Sequence, residues 1–474
     1  MFAEVTSARN AMNQPHPHEQ PEPQFLHADD RRAAGKALRD TVPREAHGRW
    51  KLPKGRRDVV DLIEQSNRGR VETLVPIRHG RMMESPFTFY RGAAAVMAAD
   101  LATTPVSGIR VQACGDAHIS NFGGFATPER RIVFDINDFD ETLPAPWEWD
   151  VKRLAASVVV AGRQIRLSET DAARGARAAV RSYREHMADY AGMRSLEVWY
   201  DTIDVDRFLK AIDSEERRER IRERLEQVQE KNVPEFMFPK LAEHRGTAAR
   251  IKDDPPLIFH PTAEQAPGLE SGYREAFARY RESLAEHLRV LLDRFQFCDL
   301  AVKAVGIGSV GTMCSVALMM AADDDPIFLQ VKEATTSVLE PYAGKSLHAN
   351  HGQRVVTGQR LMQSASDLFL GWTHGKSGRD FYVRQLRDMK ISAIVESFDA
   401  GDFRDYARMC GWALARAHAR SGDAAMIAGY MGASEVFDDA IADFSVEYAD
   451  QARRDHRAFV NAVRQGRLKA TPLE

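Results

Sequence analysis

Three short apolar or alternating runs between Cys298 and Ala334 constrain the fold of this chain more than any other feature. A glycine-rich stretch, GIGSVG (306–311), separates the first run from the second, and an acidic stretch, AADDDP (321–326), separates the second from the third. Short apolar runs bounded by turn-forming residues are typical of β-strands. The pattern therefore predicts a mostly antiparallel sheet in which strand, glycine loop, strand, acidic turn and strand follow one another.

Most of the remaining chain has the periodicity of helices, because apolar residues recur there at spacings of three and four. The predicted helical segments are 81–102, 149–165, 171–191, 206–231, 273–295, 351–370 and 391–464. Further short strands are predicted at 111–113, 122–125, 130–138 and 379–386. This distribution of helices and strands indicates an α+β fold class.

The composition excludes several classes of protein. Lys and Arg number 65 and Asp and Glu 68, a net charge of −3, which argues against a globally basic nucleic-acid-binding protein. The four cysteines are far apart and form no CxxC pair, so we expect reduced thiols in a cytoplasmic protein. No apolar run reaches the roughly 18 residues of a membrane span, so we expect no membrane partner. Residues 1–30 lack the features of a secretory signal and are predicted to be a disordered tail.

Polar residues cluster on two predicted loops that are joined through a hairpin. They are Asp116, His118 and Asn121 in GDAHISNFGG (115–124), followed by Asp135, Asp138 and Asp140 in FDINDFDE (134–141). Carboxylate and carboxamide oxygens suit Mg²⁺, which binds through one or two carboxylates, waters and substrate phosphates. Asp and Asn also cap backbone groups in ordinary polar turns. Two such turns in one hairpin favour a metal site with a general base.

The glycine-rich stretch has the features of a phosphate-binding loop. A dinucleotide-binding GxGxxG needs a helix after its glycines, whereas a strand is predicted after Gly311. A glycine loop between two strands is the arrangement by which kinases cover the ATP phosphates. Lys332, in the strand after the acidic turn, is then placed to reach those phosphates, although a strand lysine on its own is more often an ordinary solvent-facing residue.

Several of these strings resemble the motifs of aminoglycoside phosphotransferases and choline-kinase-like enzymes. GDAHISN (115–121) resembles their catalytic loop, NDFD (137–140) their metal-binding motif, and PWEWDVKRLA (146–155) the Trp/Tyr-Asp-Leu stretch that follows it. GIGSVG and LQVK (329–332) are similar to the kinase glycine loop and strand lysine.

The resemblance implies roles for particular residues. It implies Asp116 and His118 as catalytic residues and Asn121 with Asp138 or Asp135 as magnesium ligands, Asp138 being favoured by its Asp-Phe context. The nucleotide-binding residues that it implies are Gly306, Gly308, Ser309, Gly311, Lys332, Glu340, Gln385 and Leu386. The cofactors that it implies are ATP and magnesium.

The order of the motifs is the reverse of that in kinases, because the glycine loop and lysine follow the catalytic loop. ALARAHARSGD (413–423) resembles the helix that normally leads into that loop. A circularly permuted, two-lobed protein-kinase-like fold accounts for this order. Residues 31–295 then hold an N-terminal extension and the first part of the large lobe, 296–388 the small nucleotide-binding lobe, and 389–474 the rest of the large lobe.

From Val75 to Arg464 the chain also resembles the bacterial family known as domain of unknown function 2252, through strings such as RMMESPFTFYRG, VFDINDFDET and LARAHARSGD. It departs from the phosphotransferase pattern at Cys114, where those enzymes usually have His. No Glu stands at the expected helical distance after Lys332, where Gln353 and Gln359 occur instead.

The motifs therefore predict an ATP- and magnesium-dependent phosphotransferase that acts on a hydroxyl of an unknown, small-molecule acceptor. Two alternatives remain open at this point: a nucleotide-binding pseudokinase that regulates a partner, and a kinase-fold enzyme that transfers AMP. A two-metal phosphoesterase is disfavoured, because the sequence offers no second block of His and carboxylate ligands.

Overall fold

The computed structural model describes residues 26–212, 214–231, 238, 240–245, 248–255, 257–262, 269–303, 310–321, 325–376, 378–386 and 391–471. It has the mixed α+β composition that the sequence predicted. The first 25 residues of the predicted tail lie outside the described residues, and the first helix begins at Ala28.

In the described residues, helices occur between residues 28 and 464 and strands between residues 110 and 392. The strands are β1 (Arg110–Ala113), β2 (Phe122–Ala126), β3 (Ile132–Ile136), β4 (Leu143–Pro146), β5 (Ala242–Arg245), β6 (Ala248–Ile251), β7 (Ile258–Phe259), β8 (Gln296–Lys303), β9 (Cys314–Met320), β10 (Pro326–Ala334), β11 (Gly371–His374), β12 (Asp380–Gln385) and β13 (Ile391–Ser392). The α-helices are α1 (Ala28–Ala37), α2 (Val59–Ser66), α3 (Val75–Met83), α4 (Pro86–Gly92), α5 (Ala94–Leu101), α6 (Trp147–Gln164), α7 (Glu169–Tyr190), α8 (Ser195–Tyr200), α9 (Val205–Lys210), α10 (Glu215–Lys231), α11 (Leu269–Glu282), α12 (Glu286–Leu292), α13 (Glu340–Ala343), α14 (His351–Met362), α15 (Ala400–Ser421), α16 (Ala424–Met431) and α17 (Val436–Arg464).

The largest sheet is antiparallel throughout, in the strand order β11-β12-β10-β9-β8-β7. Its strands β8, β9 and β10 are the three apolar runs from which a mostly antiparallel sheet was predicted, and that prediction is confirmed. Lys332 lies in the middle of this sheet, opposite Tyr382 on β12 and Cys314 on β9.

The helical segment before residue 296 packs on this sheet. Tyr280 and Leu284 of α11 and its following turn, with Leu292 of α12, join a buried cluster with Leu329 and Phe369. Together with β7, these helices extend the sheet unit to residues ahead of the boundary that was expected at 296. Periodicity shows that such a helix has an apolar face, but it does not show which surface covers that face.

Helix α14 packs against β10, β11 and β12. It begins at the Asn350 cap, whose side chain accepts a hydrogen bond from the Gln353 N–H. The predicted helix reached residue 370, whereas α14 ends at Met362. The Ser364 N–H donates to the Asp135 carboxylate at 2.8 Å, so a tertiary contact takes the place of the next helical hydrogen bond.

The second main part of the protein is helical and surrounds α6, which is buried from Trp147 to Gly162. Helices α7, α15 and α17 pack on α6, and the Trp147 ring stacks on Tyr183 of α7 with the ring centroids 5.7 Å apart. Two small antiparallel sheets lie against these helices. They are the two-stranded sheet β1-β4 and the three-stranded sheet β13-β2-β3.

The predicted helix at 81–102 is divided into three pieces. Ser85 ends the first piece and begins the next, because its hydroxyl accepts from the Thr88 N–H while the Thr88 hydroxyl accepts from the Ser85 N–H. Such a capping box satisfies the free N–H groups at a new helix start.

Candidate active site

The predicted catalytic loop begins where β1 ends, and Gly115 makes the turn. Gly115 has φ +82°, and a Cβ atom at this residue would lie 2.4 Å from the Glu141 carbonyl oxygen. Both the left-handed backbone and the close approach therefore require glycine. The turn brings the next residue, Asp116, to the junction with the loop after β3.

Asp150 of α6 fixes the start of this loop through hydrogen bonds to its backbone. Its two carboxylate oxygens accept hydrogen bonds from the Cys114 N–H at 2.6 Å and the Gly115 N–H at 2.9 Å. His418 of α15 lies on the other side of Asp150, with Nε2 3.2 Å from Oδ2, and its Nδ1 contacts the Tyr183 hydroxyl. The loop backbone is thus tied to the buried helices of the core.

Asp116 sits in a mostly buried position next to a guanidinium. Its Oδ1 accepts a hydrogen bond from Arg153 Nε at 2.6 Å. Burial raises the pKa of Asp116 to about 6, although the Arg153 charge opposes this rise. About 18% of the Asp116 side chain remains exposed, so the carboxylate is accessible to a second molecule. A carboxylate with this pKa is a suitable general base near neutral pH.

His118 is buried beside Asp116, with Nε2 3.9 Å from Oδ2. Burial and the charges of Arg91 and Arg153 hold the pKa of His118 well below its usual range. The side chain is therefore neutral. Its Nδ1 is buried and has no hydrogen-bond partner among the described residues.

Asn121 and Asp138 provide oxygen atoms next to this loop. The Asn121 amide nitrogen donates to the Asp116 carbonyl oxygen at 2.7 Å, which leaves the carboxamide oxygen as the atom available to a ligand. The Asp138 carboxylate follows β3, is 35% exposed, and accepts from the Asp140 N–H at 3.1 Å. A carboxamide and a carboxylate of this kind fit the oxygen donors that Mg²⁺ takes.

Lys332 reaches these residues from the other part of the molecule. Its Nζ lies 3.8 Å from Asp138 Oδ2 and forms a closer ion pair with Asp140, while the Lys332 side chain is only 4% exposed. Burial alone would lower the pKa of Lys332, but the two carboxylates outweigh it and raise the pKa well above its usual range. Lys332 is therefore a fixed positive charge at the edge of the candidate metal site.

Asp135 lies apart from this group, inside the core. Arg416 Nη2 contacts both of its carboxylate oxygens at 2.7 Å, and both side chains are completely buried. The N–H and hydroxyl groups of Ser364 donate to the same carboxylate. These partners occupy the oxygens that a metal would need.

The structure separates Glu340 from Lys332. Among the described residues, the carboxylates within 4 Å of Lys332 Nζ are those of Asp138 and Asp140. Glu340 instead lies 3.8 Å from His351.

The remaining predicted nucleotide residues are only partly within the described chain. Gly306, Gly308 and Ser309 lie outside the described residues. Gly311 is at the described end of the loop, and its carbonyl oxygen accepts from the Val71 N–H at 2.6 Å. Gln385 ends β12, and the Leu386 N–H donates to the Phe328 carbonyl oxygen at 2.8 Å.

Two residues of the site, Asp150 and Arg153, were not assigned a role from the sequence. Asp150 and Arg153 are three positions apart on α6, so both lie on the helix face under the catalytic loop. That spacing, in WDVKRLA, is the one signal that pointed to them. Arg91 is a half-buried residue close to Asp116, Asp138 and Glu396, and its buried Nε has no hydrogen-bond partner among the described residues.

No group of three or more His, Cys, Asp and Glu side chains suited to a metal ion occurs in the part of the chain that the structure describes. A cation at Asp138 would therefore depend on the Asn121 oxygen, waters and phosphate oxygens for its other ligands, as Mg²⁺ commonly does. None of the helices in the described ranges is long and apolar enough to cross a membrane.

The comparison with known proteins identifies the family. No curated protein and no solved structure matches the chain. A family model described as an uncharacterized protein conserved in bacteria (DUF2252) matches residues 70–462. This match covers most of the chain, and the chain therefore belongs to the bacterial family of domain of unknown function 2252.

Proposed function

We propose that the protein is an ATP- and magnesium-dependent phosphotransferase with a circularly permuted, two-lobed kinase-like fold. Its acceptor would be a hydroxyl group of a small molecule that is not yet identified. The observation that carries the proposal is the position of Lys332, whose Nζ lies 3.8 Å from Asp138 in the group that also contains Asp116 and Asn121. Phosphoryl transfer requires little more than positioning and charge neutralisation, and this group offers both.

The order of elements in the sheet unit supports a kinase-like small lobe. Strands β8, β9 and β10 are followed by the one-turn helix α13, by α14 and then by β11 and β12, and the strand with Lys332 is an inner strand of the sheet. After β12 the chain continues into β13, which pairs with β2 beside the catalytic loop. Gln385 and Leu386 therefore lie where the chain leaves the sheet for the helical part, as a nucleotide-contacting connection between two lobes would.

The end of α15 supports the permuted order. The Ser421 hydroxyl, at the end of this helix, accepts from the Gln112 N–H of β1 at 3.2 Å. A Cβ atom on Gly422 would lie 2.6 Å from the Val111 side chain. The end of α15 therefore contacts β1, the strand that leads into the catalytic loop. The two elements are far apart in the sequence, with α15 following β1.

Each residue has a defined part in the proposed reaction. Asp116 would accept the proton of the acceptor hydroxyl as its oxygen bonds to the γ-phosphorus and ADP leaves with the electrons of the broken phosphoanhydride bond. Lys332 would neutralise the phosphates, with Arg91 as a second cation near Asp116. His118 stays neutral and packs beside the base.

Asn121 and Asp138 would hold magnesium. Asp138 is preferred to Asp135 in this role because Asp135 is buried in an ion pair with Arg416. Magnesium, when bound, supplies positive charge to the phosphate oxygens. Lys332 forms ion pairs with both Asp138 and Asp140. When ATP binds, the Lys332 ammonium would contact the phosphates, and its ion pair with Asp140 would weaken.

Thermal denaturation with ATP and magnesium tests the proposal. A ligand that binds only the folded state stabilises it, by about 2.7 kcal/mol at one hundred times its dissociation constant. We expect the melting temperature to rise in the parent and in the control Lys54→Met, a change at an exposed lysine, and to rise much less in Lys332→Met. An unchanged melting curve in the parent at millimolar ATP and magnesium would exclude the proposed function.

Labelled ATP then separates the proposed reaction from its alternatives. Transfer or release of the γ-phosphate supports the phosphotransferase, and incorporation of the α-phosphate would instead identify AMP transfer by the same residues. Saturable ATP binding with neither product would identify a pseudokinase. In each case the Asp116→Asn variant is the control for chemistry at this site.

A further inference from the structure

A cavity of about 180 Å³ lies between α14, the loop after α13 and the two-stranded sheet β1-β4. Its charged lining is basic, and its polar residues are Arg110, Gln112, Lys345, Ser346, His348, Arg354 and Thr357. No aspartate or glutamate occurs among the described residues that line it. The remaining lining residues are small or apolar.

Arg354 is a buried cation without a direct counter-ion. The residue is only 2% exposed, and its guanidinium donates to the carbonyl oxygens of Thr142 at 2.6 Å and of Asp140 and Thr335 at 2.8 Å. Within the described chain no carboxylate lies within 4 Å of it, and its Nε has no hydrogen-bond partner. Burial lowers the pKa of Arg354, since the more distant carboxylates of Glu141, Asp140 and Glu340 do not offset the desolvation.

Two further cations on the cavity wall also lack acidic partners. Arg110 is an exposed residue that donates to the carbonyl oxygens of Pro144 and Ala343, at 2.5 and 2.7 Å, and partial desolvation lowers its pKa. Lys345 is exposed on the loop after α13 and forms no ion pair with any described residue. Of the three cations only Arg354 is removed from water, where a positive charge is costly unless an anion compensates it.

We propose that this cavity binds a small oxyanion of the phosphate type, held by Arg110, Lys345 and Arg354. The site bridges the two parts of the molecule. Arg110 belongs to β1 and contacts Ala343 of α13, while Arg354 belongs to α14 and contacts the loop between β3 and β4. An anion bound among these side chains neutralises their charge and strengthens the junction between the sheet unit and the catalytic loop. The inference does not depend on the proposed phosphotransferase activity.

Thermal denaturation in phosphate tests this site without nucleotide. We expect 10 mM phosphate, compared with chloride at the same ionic strength, to raise the melting temperature of the full chain by about 2 °C or more. Lys345→Glu should weaken the apparent phosphate affinity at least about tenfold, because it places a negative charge beside the anion. The matched control Lys54→Glu, also a charge reversal at an exposed lysine, should keep the full shift. Both changes are at the surface and leave the core intact.

Three results would overturn the proposal, two of which concern the size of the phosphate shift. One is the absence of a saturable shift in the parent with phosphate. The other is an equal shift in the parent, Lys345→Glu and Lys54→Glu, which would identify an adventitious ion only. Phosphate protection that is lost in Lys332→Met but kept in Lys345→Glu would place the ion at the candidate active site, which also overturns this inference while leaving the proposed function intact.

Discussion

Asp135 and Arg416 form an ion pair whose members are both completely buried, with Arg416 Nη2 2.7 Å from each carboxylate oxygen. The same Arg416 nitrogen donates to the Met362 carbonyl oxygen at the end of α14. This pair joins β3, α15 and α14 in the core. Asp138, only three positions further along the chain, points instead to Lys332 and is 35% exposed.

Replacing each of these two aspartates should separate a structural role from a ligand role. Breaking a buried ion pair by removing one partner costs about 3–5 kcal/mol, since the other charge is left uncompensated. Asp135→Asn should therefore lower the free energy of unfolding by about that amount. Asp138→Asn, at a partly exposed carboxylate, should change it by less than about 1 kcal/mol. Urea denaturation of both variants measures the difference.

The effect of magnesium on the ATP-induced thermal shift should show the opposite order, with the larger loss in Asp138→Asn. Asp138→Asn should abolish most of the thermal shift that magnesium adds to ATP, while Asp135→Asn should keep that shift on its lower baseline. The assignment of Asp138 as the metal ligand fails if magnesium protects Asp138→Asn as well as it protects the parent.

Asp116 should be needed for turnover more than for nucleotide binding. A positioned general base contributes about 10²–10⁴-fold to the rate. Asp116→Asn should therefore lower turnover by that factor and leave ATP affinity within a few-fold, whereas Asp138→Asn should damage both. Phosphate release and ATP affinity, measured on both variants, decide this. If Asp116→Asn turns over as fast as the parent, Asp116 has only a structural role in the turn and is not the general base.

The raised pKa of Asp116 should appear in the pH profile. Because burial raises this pKa to about 6, the carboxylate is ionised and able to take a proton only above that value. We expect turnover of the parent to fall about tenfold per pH unit below about pH 6. The residual turnover of Asp116→Asn should not follow this decline between pH 5 and 7. A parent profile that stays flat through pH 6 would contradict the role of Asp116 as the base.

Glu141 should make stability depend on pH. Burial raises its pKa to about 7, against an ordinary 4.5, although the Val338 N–H donates to the carboxylate at 2.7 Å. The unfolded chain therefore releases this proton first, and the folded state is progressively disfavoured as the pH rises from about 4.5 to about 7.

Glu141→Gln removes this penalty. The melting temperature of the variant, relative to the parent, should be higher at pH 8 than at pH 5. The control Glu216→Gln, at an exposed glutamate of α10, should show the same difference from the parent at both pH values. An equal difference at both pH values for Glu141→Gln would show that Glu141 does not titrate in this range.

The local patterns of the sequence determined several features of this protein. Alternating apolar runs and their turns predicted the antiparallel strands around Lys332, because a strand that buries one or both faces shows this in its own composition. The residue types in the stretch from Gly115 to Asn121 likewise predicted a loop with a general base and a metal ligand. The strings around these residues also pointed to the family that the match over residues 70–462 then showed.

The tertiary structure alone decided which carboxylate faces the candidate site. Asp135 and Asp138 are separated by an odd number of positions on and after β3, so alternation predicts opposite faces but does not say which face is covered by the core. Only the packing of α15, which brings Arg416 to Asp135, answers that question. In the same way, the end of α14 at Met362 depends on a hydrogen bond to a residue far away in the chain.

The ion-pair partners of Lys332 could not be predicted from any local sequence pattern. The sequence has no Glu at the helical distance after Lys332 that the resemblance leads one to expect, and the ion pairs of Lys332 go to Asp138 and Asp140 in the other part of the molecule. Helices α11 and α12 likewise show an apolar face in their sequence, but only the folded chain shows that the sheet covers it. A sequence records which faces must be buried and which groups carry charge, while the choice of partner depends on contacts between distant segments that form only when the whole chain folds.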